Sequence, residues 1–225
     1  HLNERSVEEE WQAMQNQIEL FKLINSSVFI FADVSGSIQG EPKIPLSKRP
    51  RLKDNEWSDY CNKISEIAKR LSDIGLPMSY HEHMGTIIQS EQDIYRLLDN
   101  TDDKTSLLFD TGHIFFAEGD YESILKKYVS RVNHVHCKDI RKEILNKSLS
   151  NDLSFRDSFL EGVFTVPGDG YINYKPLFET LYDNKYSKWL IVEAEQDPKK
   201  ANPLKYAKIG YKYLNKILTE VGYKI

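Results

Sequence analysis

The sequence predicts an α/β fold built on parallel strands. Segments with helical apolar spacing alternate with short β-rich runs from one end of the chain to the other. The runs are continuously apolar instead of alternating, as strands covered on both faces are. Five of the six histidines fall at or just after the C-terminal ends of these runs, the edge where parallel α/β folds bind ligands. With 225 residues, 40% of them hydrophobic, the chain can bury one sizeable core, and it is read as a single domain over 1–225.

The elements follow in order. Val7, Trp11, Met14, Ile18 and Phe21 recur at helical spacing and predict a helix over 6–24, with Ser6 as N-cap. SVFIFADV (27–34) is the first strand, followed by a Gly/Ser/Pro loop over 35–52. Asp54 is expected to cap a helix reaching about residue 74, stopped by Gly75 and Pro77. MSYHEH (78–83) is the second strand, and Ser90 opens a helix to about residue 100. SLLFD (106–110) is the third strand, a helix covers 120–130, and the fourth strand is 132–137. Helical segments fill 140–161, GVFTVPGDG (162–170) is a loop, and a helix spans 174–184. WLIVEAE (189–195) is the fifth strand, and a last helix covers 203–218.

Composition excludes several classes. A formal net charge of −4 argues against a broad nucleic-acid surface. The one basic cluster, Lys48-Arg49-Pro50-Arg51, reads as a solvated loop. No apolar run reaches the ~18 residues of a membrane span, and the polar, acidic start does not resemble a signal peptide. Cys61 and Cys137 are too few and too far apart for a disulfide framework, which fits a reducing cytoplasm. SGSIQG and PGDG lack the spacing of a dinucleotide-binding loop.

The strand ends carry the chemistry. His81 and His83, His113, and His134 and His136 are joined there by Asp33, Glu82, Asp110, Asp139, Glu193 and Glu195. Singly, each has an ordinary explanation: a strand-end Asp caps the next helix, and a buried His is a satisfied core residue. Together they do not, because strand alternation puts His81 with His83, His134 with His136, and Glu193 with Glu195 on common faces. Imidazoles and carboxylates converging on one rim suit a divalent cation, and mixed N/O donors favour Mn²⁺, Co²⁺, Zn²⁺ or Fe²⁺ over Ca²⁺.

YHEHMGT (80–86), LLFDTGH (107–113), HVHCKDIR (134–141), GVFTVPGDGYINY (162–174) and WLIVEAEQDP (189–198) resemble, in the same order, motifs of the inosose dehydratases of bacterial inositol catabolism. The parent superfamily is the xylose-isomerase-like TIM barrel. The resemblance implies a (β/α)8 barrel with one metal ligand from each of four strand ends. Asp110 and His136 match two ligands; Glu193 matches the third, with Glu195 as its alternative. Sugar isomerases place a glutamate where this chain has His81, so His81 is taken as the fourth, with Glu82, one residue out of register, as its alternative. His83, His113 and Glu195 are the implied acid–base groups, and Lys138 and Arg141 the implied substrate-binding cations. The metal implied is Mn²⁺ or Co²⁺, with Zn²⁺ or Fe²⁺ next. The family's chains carry further βα units ahead of the segment matching 6–24. Five strands and a start at His1 therefore lead us to expect the C-terminal portion of a barrel.

The implied reaction is loss of water from 2-keto-myo-inositol (scyllo-inosose), in which a base removes the proton beside the ketone and an acid assists departure of a hydroxyl. A cation would stabilise the negative charge that develops. The partner is then a small polyhydroxylated ketone, not a nucleic acid or a membrane, with a homo-oligomer as a further expectation from the uncovered edges of a five-stranded sheet. Two other readings stand beside this one: a sugar isomerase or epimerase on the same scaffold, against which His81 weighs, and a non-catalytic barrel fragment.

Overall fold

A computed structural model of the protein describes residues 1–224. Its strands, numbered in chain order, are β1 (Phe29–Phe31), β2 (Met78–His81), β3 (Ser106–Asp110), β4 (Val132–Cys137), β5 (Asp139–Ile140), β6 (Phe164–Thr165) and β7 (Leu190–Val192). Five of them form one parallel sheet in the order β1-β2-β3-β4-β7, while β5 and β6 pair antiparallel beside it. A closed barrel of this type has eight strands. Here the sheet curves through five, and β1 and β7 are its edges.

The helices are α1 (Val7–Ala13), α2 (Gln15–Leu23), α3 (Trp57–Asp73), α4 (Glu91–Asp99), α5 (Thr111–Phe116), α6 (Tyr121–Tyr128), α7 (Lys142–Ser150), α8 (Phe155–Glu161), α9 (Tyr174–Asp183) and α10 (Pro203–Val221). Capping boxes open α1 at Ser6/Glu9 and α4 at Ser90/Asp93, and each satisfies backbone N–H groups that a helix start leaves unpaired. Ile64, Ile67 and Leu71 of α3, Ile94 and Leu97 of α4, and Ile124 and Leu125 of α6 pack behind the sheet with Phe29, Phe31, Leu107, Phe109 and Val135. The other face of β1 lacks such cover: Ile30 is 39% exposed between buried Phe29 and Phe31. It lines an open groove of about 420 Å³ with Val28, His134, Trp189 and Ile191, running between the two sheet edges. No helix among the described residues is long and apolar enough to cross a membrane.

Several elements differ from the sequence reading. The helix expected over 6–24 is two, because Met14 leaves ideal helical geometry (ψ −9°) between α1 and α2. Asp54 does not cap α3; the helix begins at Trp57, and the Asp54 carboxylate instead accepts from Arg96 Nη1 at 2.7 Å. The strands expected over 27–34, 78–83 and 189–195 pair only over 29–31, 78–81 and 190–192. The helical segments expected over 140–161 are α7 and α8, whereas the short α5 and the β5–β6 pair lie where none was expected. Arg49 is not solvated: it is buried, donating to the Thr86 and Ile87 carbonyls at 3.3 and 2.7 Å and to Asp93 at 2.6 Å.

Candidate active site

Parallel register brings the polar strand ends to one edge. His81 pairs with Leu108, so Asp110, two residues on, projects from the same face one step higher. Asp110 pairs with His136, His136 with Ile191, and Glu193 follows two residues after Ile191. His81, Asp110, His136 and Glu193 thus each offer one donor atom, and these atoms lie within 4.8 Å of one another. His136 Nδ1 is 3.3 Å from Asp110 Oδ2 and 2.6 Å from Glu193 Oε2.

The donor set fits a cation because its polar atoms are otherwise unsatisfied. His81 Nδ1, Asp110 Oδ2, His136 Nδ1 and Glu193 Oε2 are all buried without a hydrogen-bond partner. Asp110 is both cap and candidate ligand. Its Oδ1 accepts from Gly112 N and His113 N at 2.9 Å each, holding the start of α5, and this leaves Oδ2 to the cluster. Burial raises the Asp110 pKa, but the charges of Lys138 and His113 outweigh it and hold the carboxyl well below its usual range. Burial pushes His81 well down, so its ring is neutral and can act as a ligand. Burial also lowers His136, but Asp110 and Glu193 outweigh this and lift it to about 9. Glu82, the alternative to His81, is fully buried outside the cluster; both its oxygens are unpartnered, and burial pushes its carboxyl well up.

A second cluster lies beside the first. His83, His113 and Glu195 also place donor atoms within 4.8 Å of one another. The two imidazoles have ring centroids 3.9 Å apart, and His113 Nε2 is 3.3 Å from Glu195 Oε2. His83 Nδ1 lies 2.8 Å from the Met84 carbonyl, and burial pushes its pKa down to about 3. Burial raises Glu195, yet the hydrogen bond from His113 and the charge of Lys138 hold it well below the carboxylate range.

Lys138 joins the two clusters. Its Nζ lies 2.7 Å from Glu195 Oε2, 2.9 Å from His113 Nε2, 3.2 Å from Glu193 Oε2 and 3.5 Å from Asp110 Oδ2, with the side chain fully buried. Burial alone would lower the lysine, but Asp110, Glu195 and Glu193 raise it above its ordinary value. The stem reaches this point by crossing Gly112, where an added Cβ would sit 2.5 Å from Lys138 Cγ. That is why DTGH carries a glycine here, although its φ is not positive.

Arg141 lies apart from both clusters. Its guanidinium donates to the Gly162 and Phe164 carbonyls at 2.8 and 3.0 Å, to Thr165 Oγ1 at 2.9 Å and to Asp169 Oδ2 at 2.8 Å, bracing the 162–170 loop. Asp139 anchors the same loop from below, accepting from Ile172 N at 2.9 Å and Gly168 N at 3.3 Å. Asp33 accepts from Ser35 N and Oγ. The sequence reading missed the aromatic wall of Phe155 and Phe164: Phe155 packs 5.1 Å from His83, and Phe164 lies 5.2 Å from His113. Both sit outside the strand-end pattern, so only the tertiary fold reveals them. Over the rim, the 35–52 loop docks on the α7–α8 turn through Leu46 N to the Leu153 carbonyl (3.2 Å) and Ser47 N to Asp152 (3.1 Å).

Comparison with known proteins identifies the family. The sequence profile of the xylose isomerase-like TIM barrel family matches residues 1–217. The rhizopine catabolism protein MocC of Rhizobium meliloti is 39% identical over 224 residues, which cover 100% of this chain and 69% of that protein. An inosose dehydratase of Lactiplantibacillus plantarum is 39% identical over 216 residues, covering 95% of this chain and 72% of its own. The crystal structure of the IolI protein with a bound zinc atom superposes with a TM-score of 0.68, covering 95% of this chain and 70% of that one; at 13% identity it speaks for the fold alone.

Proposed function

This chain belongs to the xylose isomerase-like TIM barrel family, and from that premise we propose that it is a metal-dependent inosose dehydratase, a hydro-lyase removing water from 2-keto-myo-inositol in inositol catabolism. The observation that carries the reading is the pair of adjoining clusters: four donor groups with buried, unpartnered atoms beside an acid–base set reached from the same rim. His81, Asp110, His136 and Glu193 would hold the cation. Bound there, a divalent ion supplies Lewis acidity toward a ketone. We assign it as Mn²⁺ or Co²⁺ on the family resemblance; the mixed N/O donor set equally takes Zn²⁺ or Fe²⁺. The two free buried cysteines support a cytoplasmic setting.

The chain's own residues divide the proton transfers. His83 is neutral at pH 7; with Nδ1–H on the Met84 carbonyl, its Nε2 lone pair is free to take the proton beside the ketone. Glu195, kept ionised, lies beside His113, whose Nε2 is 3.3 Å from its Oε2. His113 Nε2 takes a proton from the Lys138 ammonium 2.9 Å away and passes it to the departing hydroxyl, so one C–H and one C–O bond break, a carbon–carbon double bond forms and water leaves. Phe155 and Phe164 exclude water from one side of the imidazoles.

The test is direct. Metal-loaded protein is incubated with scyllo-inosose and the product mass is followed, with and without a chelator. Metal-dependent loss of one water supports the reading. A product of unchanged mass would replace it with an isomerase or epimerase, and inertness toward inosose would sink it.

A further inference from the structure

The two donor clusters are alike in type and in spacing, yet they are not in the same state. In the first, the His81 and His136 ring nitrogens are buried without a hydrogen-bond partner, and the Lys138 ammonium stands off at 3.2 Å from Glu193 Oε2 and 3.5 Å from Asp110 Oδ2. In the second, His113 Nε2 and Glu195 Oε2 both already face a cation, the Lys138 ammonium, at 2.9 and 2.7 Å. An ammonium and a divalent ion compete for the same electron pairs, because the lysine donates N–H bonds to the lone pairs a metal would take. His113, Glu195 and His83 would otherwise be a second three-donor site of His/His/carboxylate type.

Building on the function proposed above, we propose that Lys138 is an internal cation that fills this second site, keeps the centre mononuclear and leaves His83 Nε2 free for proton transfer. Removing its charge should open a latent second divalent-cation site between His83, His113 and Glu195.

Charge favours the same conclusion. Asp110, Glu193 and Glu195 surround the ammonium, so three carboxylates against one lysine leave two negative charges, which one divalent ion balances. A second ion would leave two uncompensated positive charges in a buried space, which is strongly disfavoured. Without the lysine charge the same carboxylates carry three negative charges, and two ions leave only one positive. The ammonium is held in place by Glu195 Oε2 at 2.7 Å and His113 Nε2 at 2.9 Å, at the end of a stem that crosses Gly112.

The experiment counts metal. The intact protein and its Lys138→Met, Lys138→Gln and Lys138→Arg variants are equilibrated with Co²⁺, dialysed and analysed for ions per chain, with the visible spectrum recorded. Wild type and Lys138→Arg should hold one ion, and Lys138→Met should hold two, with added absorption bands from the new site. Lys138→Gln, which keeps an amide in the same space, carries the comparison if Lys138→Met does not fold. Adding Glu195→Gln to either neutral variant should return the count to one. One ion in every variant, or two in wild type, would overturn the inference, whereas no ion in wild type would overturn the functional reading beneath it.

Discussion

Replacing Gly112 with alanine tests whether the lysine's course is the organising element of the site. The new Cβ would lie 2.5 Å from Lys138 Cγ and 2.8 Å from both Cβ and Cδ. These are mid-stem atoms of a fully buried side chain, so the conflict cannot be relieved by swinging a free end. Overpacking of this kind costs about 1–3 kcal/mol. Displacing the ammonium from Glu195 and His113 forfeits charge-assisted bonds of about 1.5–3 kcal/mol. Against this stands the gain of alanine over glycine in a helix, about 0.5–1 kcal/mol. The net expectation is destabilisation of roughly 2–5 kcal/mol, read from urea denaturation midpoints. The decisive assay is the double-mutant cycle with Lys138→Gly, which removes Cβ as well as the rest of the stem. Once the stem is gone, Gly112→Ala should be neutral or slightly stabilising, so most of its cost appears as coupling between the two positions. An equal loss of stability in both backgrounds would refute the reasoning.

Asp110→Asn and His136→Ala should each abolish metal retention and loss of water from inosose while the chain stays folded by circular dichroism; near-full activity of either after chelation and metal replacement would remove it from the ligand set. Burial pushes Cys61 up to about 11 and Cys137 higher still, so the folded state keeps thiol protons that the unfolded chain gives up above pH ~8.5. Stability should therefore fall as pH rises from about 8.5 toward 11, by at most ~1.4 kcal/mol per unit per thiol, and Cys61→Ala should flatten that slope in urea titrations at pH 8 and 10. The uncovered inner face of β1 and the open edge of β7 predict self-association of the 225-residue chain by itself; sedimentation showing a stable monomer would contradict this.

The parts of this fold that could be read in the sequence are those that local pattern determines. SLLFD and VNHVHC are continuous apolar runs with abrupt polar ends, and β3 and β4 span them as expected. Periodicity also placed α4, α9 and α10 within a few residues. It could not show the break at Met14, since an apolar stripe passes unaltered through a one-residue departure from helical geometry. Nor could it show α5, whose six residues are nucleated by the Asp110 cap. Strand parity put His81 with His83, His134 with His136 and Glu193 with Glu195 on common faces, whereas the set His81, Asp110, His136 and Glu193 came from the family resemblance. Parity could not decide what Arg49 and Arg141 do, since their partners are carbonyls 20 to 40 positions away. The inward path of Lys138 depends on one missing methyl group at Gly112, on a neighbouring strand end.

The placement of β7 has a consequence for how the protein opens and closes. This strand pairs on one side only, with β4, and its three residues are half-buried, unlike the fully buried β2 and β4. Yet Glu193 and Glu195, one acid for each cluster, follow directly from it. His81, Asp110 and His136 ride on the interior strands, His113 on α5, and His83 on the loop just after β2. Hydrogen exchange in the absence of metal should therefore find the 190–195 amides opening first, well below the global unfolding free energy. A cation spanning Glu193 and the histidines acts on this strand as a clasp, tying the loosest member of the sheet to its most rigid ones. Its binding free energy should appear as slower exchange confined to that segment, and the catalytic carboxylate of Glu195 would inherit its order from an ion it does not touch.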